Sequence, residues 1–161
     1  MSEPLLVLKG ARAAYGGREV LSGIDLTIRA GERVALMGRS GAGEATLLGL
    51  IRERIPEQVA LVPQAAALVR TLSVFHNVYM GRLDQRSTLH NLRTLVRPAR
   101  DDVEAVRAVL ARVDLADALW SRAGELSGGQ QHRGSIARAL SNGRPILLGD
   151  ETVPALDRQQ G

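Results

Sequence analysis

Residues Gly38, Arg39, Ser40, Gly41, Ala42 and Gly43 lead into Glu44, Ala45 and Thr46. The glycines at 38, 41 and 43 keep the spacing of a phosphate-binding loop, G-x-x-x-x-G-K-S/T, in which they let successive backbone N–H groups point at phosphate oxygens. The helix that follows such a loop adds its positive end. Two positions depart from that pattern, because Glu44 stands where the lysine belongs and Ala45 where the hydroxyl belongs. A glycine-rich turn between a strand and a helix, holding nothing, has the same glycines.

Two further clusters share this phosphate chemistry. LSGGQQHR, residues 126–133, sets Ser127, Gly128, Gly129 and Gln130 at the start of a helix, giving a second group of donors suited to a terminal phosphate, or a plain helix cap. PILLGDE, residues 145–151, puts Asp150 and Glu151 just past an apolar strand. One carboxylate there can hold Mg²⁺ through water while its neighbour activates an attacking water. A solvated acidic loop is the alternative.

The elements that must position these residues are legible from apolar spacing. Leu5–Leu8 and the alternating Ile24, Leu26 and Ile28 predict strands of an N-terminal antiparallel sheet, with Gly16-Gly17 as a turn between them. Arg33–Met37 predicts a short buried strand running into the glycine loop, and a helix begins at Ala45–Leu50. Val59–Val62 predicts a strand ending at Pro63-Gln64, and Thr71–Leu119 reads as helical. Within that stretch Asp101 and Asp102 precede Val103, Val106, Val109, Leu110 and Val113 at helical spacing. Ser127 caps a helix through Leu140, in which Gly134 costs about 1 kcal/mol relative to alanine. Ile146–Leu148 forms the strand before the acidic pair.

A chain of 161 residues fits one ordinary domain. Its 45% hydrophobic and 24% charged residues belong to a globular protein, and aromatics at 2% leave the core to Leu, Val, Ile and Ala and provide no stacking platform for single-stranded nucleic acid. No cysteine is present, so disulfides and thiolate metal sites are excluded. No N-terminal run reads as an export signal, and no segment reads as a membrane span. The net charge of +4 comes from scattered arginines with a single lysine, Lys9, which reads as a solvated surface and not as a nucleic-acid footprint.

Glycine loop, LSGGQ and an apolar strand ending in Asp-Glu, in that order, resemble the ATP-binding cassette family, the ATPase subunits of ABC transporters. The resemblance runs from about Leu6 to the C-terminus. It implies an α/β P-loop NTPase fold with N-terminal antiparallel strands, a RecA-like core and a helical subdomain at about 71–125, all within one ABC domain over 1–161. Tyr15 matches the family's adenine-stacking aromatic, and Gln64 the glutamine that meets Mg²⁺ and the transmembrane partner. Asp150 matches the Mg²⁺ ligand, Glu151 the catalytic base, and Ala155-Leu156-Asp157 the loop that touches the opposite subunit. ATP and Mg²⁺ are the implied cofactors. The implied partners are transmembrane permease subunits, a second ATP-binding subunit in a head-to-tail dimer and, indirectly, a periplasmic substrate-binding protein, with no nucleic acid. The implied location is peripheral, on the cytoplasmic face of the inner membrane. RTLSVFHNVYMGRL (70–83) and ALSNGRPILLGDE (139–151) are similar to phosphonate-type importer ATPases in particular, with a short segment between the glycine loop and Gln64.

The departures bear on activity. The family's loop lysine neutralises the β and γ phosphates and the next hydroxyl coordinates Mg²⁺; Glu44 and Ala45 do neither, while Thr46 survives. Loss of a charged hydrogen bond removes about 1.5–3 kcal/mol. A carboxylate about 4 Å from a phosphate charge opposes binding by up to about 4 kcal/mol at an effective dielectric near 20. ATP binding is therefore expected to be weakened by several powers of ten. Thr152 and Pro154 also depart from the family pattern, and the sequence ends at Gly161 before the family's histidine-bearing strand, so the last core strands are expected to be missing. Two functions compete: an ATP-hydrolysing transport subunit, and a non-enzymatic cassette partner or non-functional fragment that keeps surfaces without turnover. A nucleic-acid-associated ABC ATPase would carry basic or coiled-coil insertions that the sequence lacks.

Overall fold

The computed structural model describes residues 3–37, 43–63 and 65–149, with Tyr15 described by its backbone alone. The described residues form two compact units, one running through Val59 and adding Arg144–Leu148, the other comprising Ala60–Gly143 with Gly149.

The first unit is built on a long hairpin, β1 (Pro4–Tyr15) and β2 (Arg18–Arg29), paired antiparallel with Leu6 opposite Ile28 and Leu8 opposite Leu26. Both strands are longer than the apolar alternation predicts. Gly16 and Gly17 both have positive φ, 58° and 80°, so the strands join through a two-residue turn whose twist matches theirs. Register shifts between Leu8 and Ala11 and again before Ala13 and Ala14 bend the distal half of β1. Helix α1 (Glu44–Arg54) buries Leu47 and Ile51, one turn apart on one face, against Leu6, Leu8 and Ala11 of β1 together with Val59, Ile146 and Leu148. The Arg144 guanidinium fastens the same unit by donating to the carbonyls of Pro56 at 2.9 Å and Val59 at 2.8 Å.

The remaining strands are β3 (Val59–Val62) and β4 (Ile146–Gly149). The buried strand expected at Arg33–Met37 is absent: the segment belongs to no ladder, and Met37 is 91% exposed. A run of apolar residues reports its affinity for a core. Whether it becomes a strand depends on a neighbour for its N–H and C=O groups, and among the described residues none pairs with this segment.

The second unit is helical, as expected of the middle of the chain. It contains α2 (Val74–Tyr79), α3 (Thr88–Val96), α4 (Arg100–Ala111) and α5 (Gly128–Ser141), connected in part by short 3₁₀ turns. Its core joins Val74, Phe75 and Val78 of α2 to Val106 and Leu110 of α4, with Leu119 and Ala137. Phe75 and Tyr79 stack with ring centres 5.8 Å apart, so two of the chain's few aromatics work in this core beside the aliphatics. Buried Asn77 is fully engaged, accepting from the Val69 N–H at 2.7 Å and donating to the carbonyls of Val69 and Ser73 at 3.0 Å. Gly134 has a steric reason inside α5, because a Cβ there would lie 3.0 Å from Leu68 Cδ1. None of the helices among the described residues is long and apolar enough to cross a membrane.

Candidate functional site

The glycine loop enters α1 through Gly43, which is the N-cap residue with φ 99° and ψ 15°. No side chain caps the helix; the Gly43 carbonyl accepts from the Leu47 N–H at 2.9 Å. A Cβ at Gly43 would lie 2.8 Å from Leu21 Cδ2 and 3.0 Å from Val20 Cγ1 on β2, so the backbone conformation favours glycine and a larger residue would displace these side chains. The first N–H groups of α1 have no intrahelical partners, and they are followed by exposed Glu44 and Ala45 and half-buried Thr46.

Two cavities of the first unit border this helix start. One, of about 450 Å³, is lined by Arg12, Ala13 and Ala14 from the end of β1 and by Ala45, Thr46, Gly49, Leu50 and Glu53 from α1. The other, of about 340 Å³, is lined by Leu21, Ala35, Leu36, Met37, Gly43, Glu44 and Leu47. The first is of the size that takes a small organic ligand. It places the stretch directly before Tyr15 across from Ala45 and Thr46. Arg12 and Glu53 are lining residues that the sequence does not single out. Arg12 is on an irregular stretch of β1, where alternation no longer tells which face a residue takes, and its guanidinium lies 3.9 Å from Glu19 in a solvent-exposed pair.

The second predicted cluster lies in the second unit. Ser127 is the N-cap of α5 in a reciprocal capping box: its hydroxyl accepts from the Gln130 N–H at 3.3 Å, and its own N–H donates to Gln130 Oε1 at 2.9 Å. Gly128 and Gly129 are exposed, and a Cβ on either would meet no atom within 4 Å. These glycines begin a 14-residue helix whose cap is already served by the Ser127 and Gln130 side chains.

Gly38, Arg39, Ser40, Gly41, Ala42, Gln64, Asp150 and Glu151 lie outside the described residues, as do the Tyr15 side chain and Thr152, Pro154 and Ala155-Leu156-Asp157. Among the described residues no three His, Asp or Glu side chains converge as a metal site.

The fit to a Mg²⁺-nucleotide is divided. The Gly43 backbone and the open start of α1 suit a phosphate. The side chains at 44 and 45 do not, for one is an anion and the other has no donor or ligand atom. Glu44 instead complements the positive end of its own helix.

A profile of the ABC transporter family matches residues 21–154. The phosphonates import ATP-binding protein of Thiobacillus denitrificans is 41% identical over 163 aligned residues, covering 88% of this chain and 62% of its own length. A protein of the same description from Pseudomonas fluorescens is 39% identical over 166, with the same shares covered. The chain thus spans about 62% of the length of these relatives. Among solved structures, cbiO1 of Clostridium perfringens, part of an ABC transporter complex, superposes with a TM-score of 0.78 at 21% identity over 97% of this chain and 68% of its own. An ATP-binding cassette in its ADP conformation gives 0.71 at 20% identity over 91% and 68%. At such identities the likeness shows the fold, that of an ABC ATPase.

Proposed function

Since the chain belongs to the ABC transporter family, we propose that it is the ATP-binding subunit of a phosphonate-type importer, with its own hold on Mg-ATP weakened at Glu44 and Ala45. The observation that carries the nucleotide reading is the cavity of about 450 Å³ bounded by the first turn of α1 and by Arg12–Ala14, the residues leading to Tyr15. In this reading Tyr15 stacks on the base, and Gly38, Arg39, Ser40, Gly41, Ala42, Gly43 and Thr46 receive the phosphates. Gln64 and Asp150 serve Mg²⁺, and Glu151 stands as the base. Ser127, Gly128, Gly129 and Gln130 serve the site of a second subunit in a head-to-tail dimer. The subunit works with transmembrane permeases on the cytoplasmic membrane face, the transport class being that named for the relatives near 40% identity.

The side chains at 44 and 45 do not fit the group, one being an anion and the other lacking any donor or ligand atom. Mg-ATP would supply a polyphosphate for backbone N–H donors, and this chain offers those donors without the neutralising cation.

The test is Tyr15→Ala made in a Glu44→Lys, Ala45→Ser background and titrated with Mg-ATP and Mg-GTP. Stacking of a base on an aromatic ring contributes about 1–3 kcal/mol, so affinity should fall by at least about fivefold. Unchanged affinity would remove Tyr15 and the neighbouring cavity from the site.

A further inference from the structure

Helix α3 is built inside out. Its inward residues are polar: His90 Nε2 is 2.7 Å from Asp102 Oδ2, buried Thr94 donates through its hydroxyl to the same oxygen at 3.5 Å, and Asn91 accepts from the Tyr79 hydroxyl at 2.9 Å. Its outward residues are aliphatic, with Leu89 78%, Leu92 64%, Leu95 54% and Val96 85% exposed. At 100° per residue these four occupy a continuous arc of about 120°. A surface helix of a globular protein has the opposite pattern, and single exposed leucines are ordinary whereas a continuous aliphatic face is not.

The charge around this face identifies what meets it. From Gln85 to Arg100 the sequence contains four arginines and a histidine and no acidic residue. Arg86 is engaged 3.8 Å from Asp102. Arg93, Arg97 and Arg100 are exposed, and among the described residues no ion pair joins any of them to an acid. Protein interfaces concentrate aromatic anchors and matched polar groups, and leucine and valine are under-represented among their energetic centres. Aliphatic side chains bordered by arginines match an anionic lipid surface, into which the aliphatics insert while the guanidiniums meet phosphates.

We infer that the outward face of α3, Leu89, Leu92, Leu95 and Val96 with Arg93 and Arg97, is a lipid-contact surface for anionic bilayers. Its inward polar contacts to Asp102 hold the aliphatic face outward. The inference goes beyond transport-subunit function and does not depend on nucleotide.

The experiment is vesicle flotation of the 161-residue chain with mixed phosphatidylglycerol and phosphatidylcholine vesicles, against phosphatidylcholine alone. The parent should float with the anionic vesicles, and raised salt should weaken the association by screening the arginines. Leu89→Gln with Val96→Gln, and separately Arg93→Gln with Arg97→Gln, should each reduce binding at least about tenfold, whereas Val7→Gln, at an exposed valine of β1, should not. The substituted side chains point to solvent, so an unchanged thermal transition establishes that lost binding is not lost folding. Failure of the parent to bind anionic vesicles, equal binding by the α3 variants, or equal binding to neutral vesicles overturns the inference. So does self-association of the parent that the leucine–valine variant abolishes, since the face would then belong to a second copy of the chain.

Discussion

Gly43→Ala tests whether the entry to α1 is held by geometry that only glycine satisfies. With φ at 99° the residue lies beyond the centre of the left-handed region, and an L-residue there costs about 1–2 kcal/mol. The added methyl would also lie 2.8 Å from Leu21 Cδ2 and 3.0 Å from Val20 Cγ1. Leu21 lies at the edge of a cavity and Val20 is 38% exposed, so both side chains yield by rotation at about 0.5–1.5 kcal/mol. The sum predicts a loss of about 1.5–3.5 kcal/mol for the first unit, read from the urea midpoint at constant slope by a probe on that unit. The two contributions separate in a double-mutant cycle. Leu21→Ala removes the nearer contact, so Gly43→Ala should cost about 0.5–1 kcal/mol less in that background, while the backbone part persists. A loss below about 0.5 kcal/mol for the single variant would contradict this, showing that the helix entry relaxes to a conformation open to any residue.

The other predictions concern the second unit. Ser127→Ala removes the acceptor of the capping box and should lower that unit's stability by about 1 kcal/mol in chemical denaturation, with Ser127→Asp retaining most of it. Leu110→Ala, at a fully buried position against Phe75 and Val106, should cost about 3 kcal/mol. Asp102→Ala strips α3 of its bonds to His90 and Thr94 and should raise amide exchange in Thr88–Val96 well before global unfolding; unchanged protection would show that α3 does not depend on that carboxylate.

What the sequence conveyed depended on whether the information was local. The Gly16-Gly17 turn, the Ser127 cap with Gln130 three residues on, and Val59–Val62 are each written in a few neighbouring residues, and each is found where its chemistry places it. Arg33–Met37 differs from its apolar pattern because a strand needs a partner, which no local pattern reports. Arg12 escaped notice since bulges in β1 remove the alternation from which its side could be read, and Glu53 because nothing in α1 alone says which strand end it faces. The inverted face of α3 was hidden for a related reason: its leucine spacing is that of any amphipathic helix, and only the buried Asp102 across from it reveals that the polar side is the inner one. Of the candidate site, Gly43–Thr46 and Ser127–Gln130 were legible as helix starts, whereas the cavity beside the former arises from β1 and α1 together.

In the proposed function Glu44 and Ala45 weaken an otherwise suitable phosphate cradle. The most direct measurement of this is a Mg-ATP titration of the parent and of the Glu44→Lys, Ala45→Ser variant at the same salt. The lysine adds a charge-assisted contact and removes the opposing carboxylate, and the serine returns a hydroxyl to the position where the family places a Mg²⁺ ligand. The variant should bind at least about a hundredfold more tightly, a gain near 2.7 kcal/mol, and omitting Mg²⁺ should reduce this gain. Tight Mg-ATP binding by the parent, or a variant that binds no better than the parent, would contradict the weakening at Glu44 and Ala45.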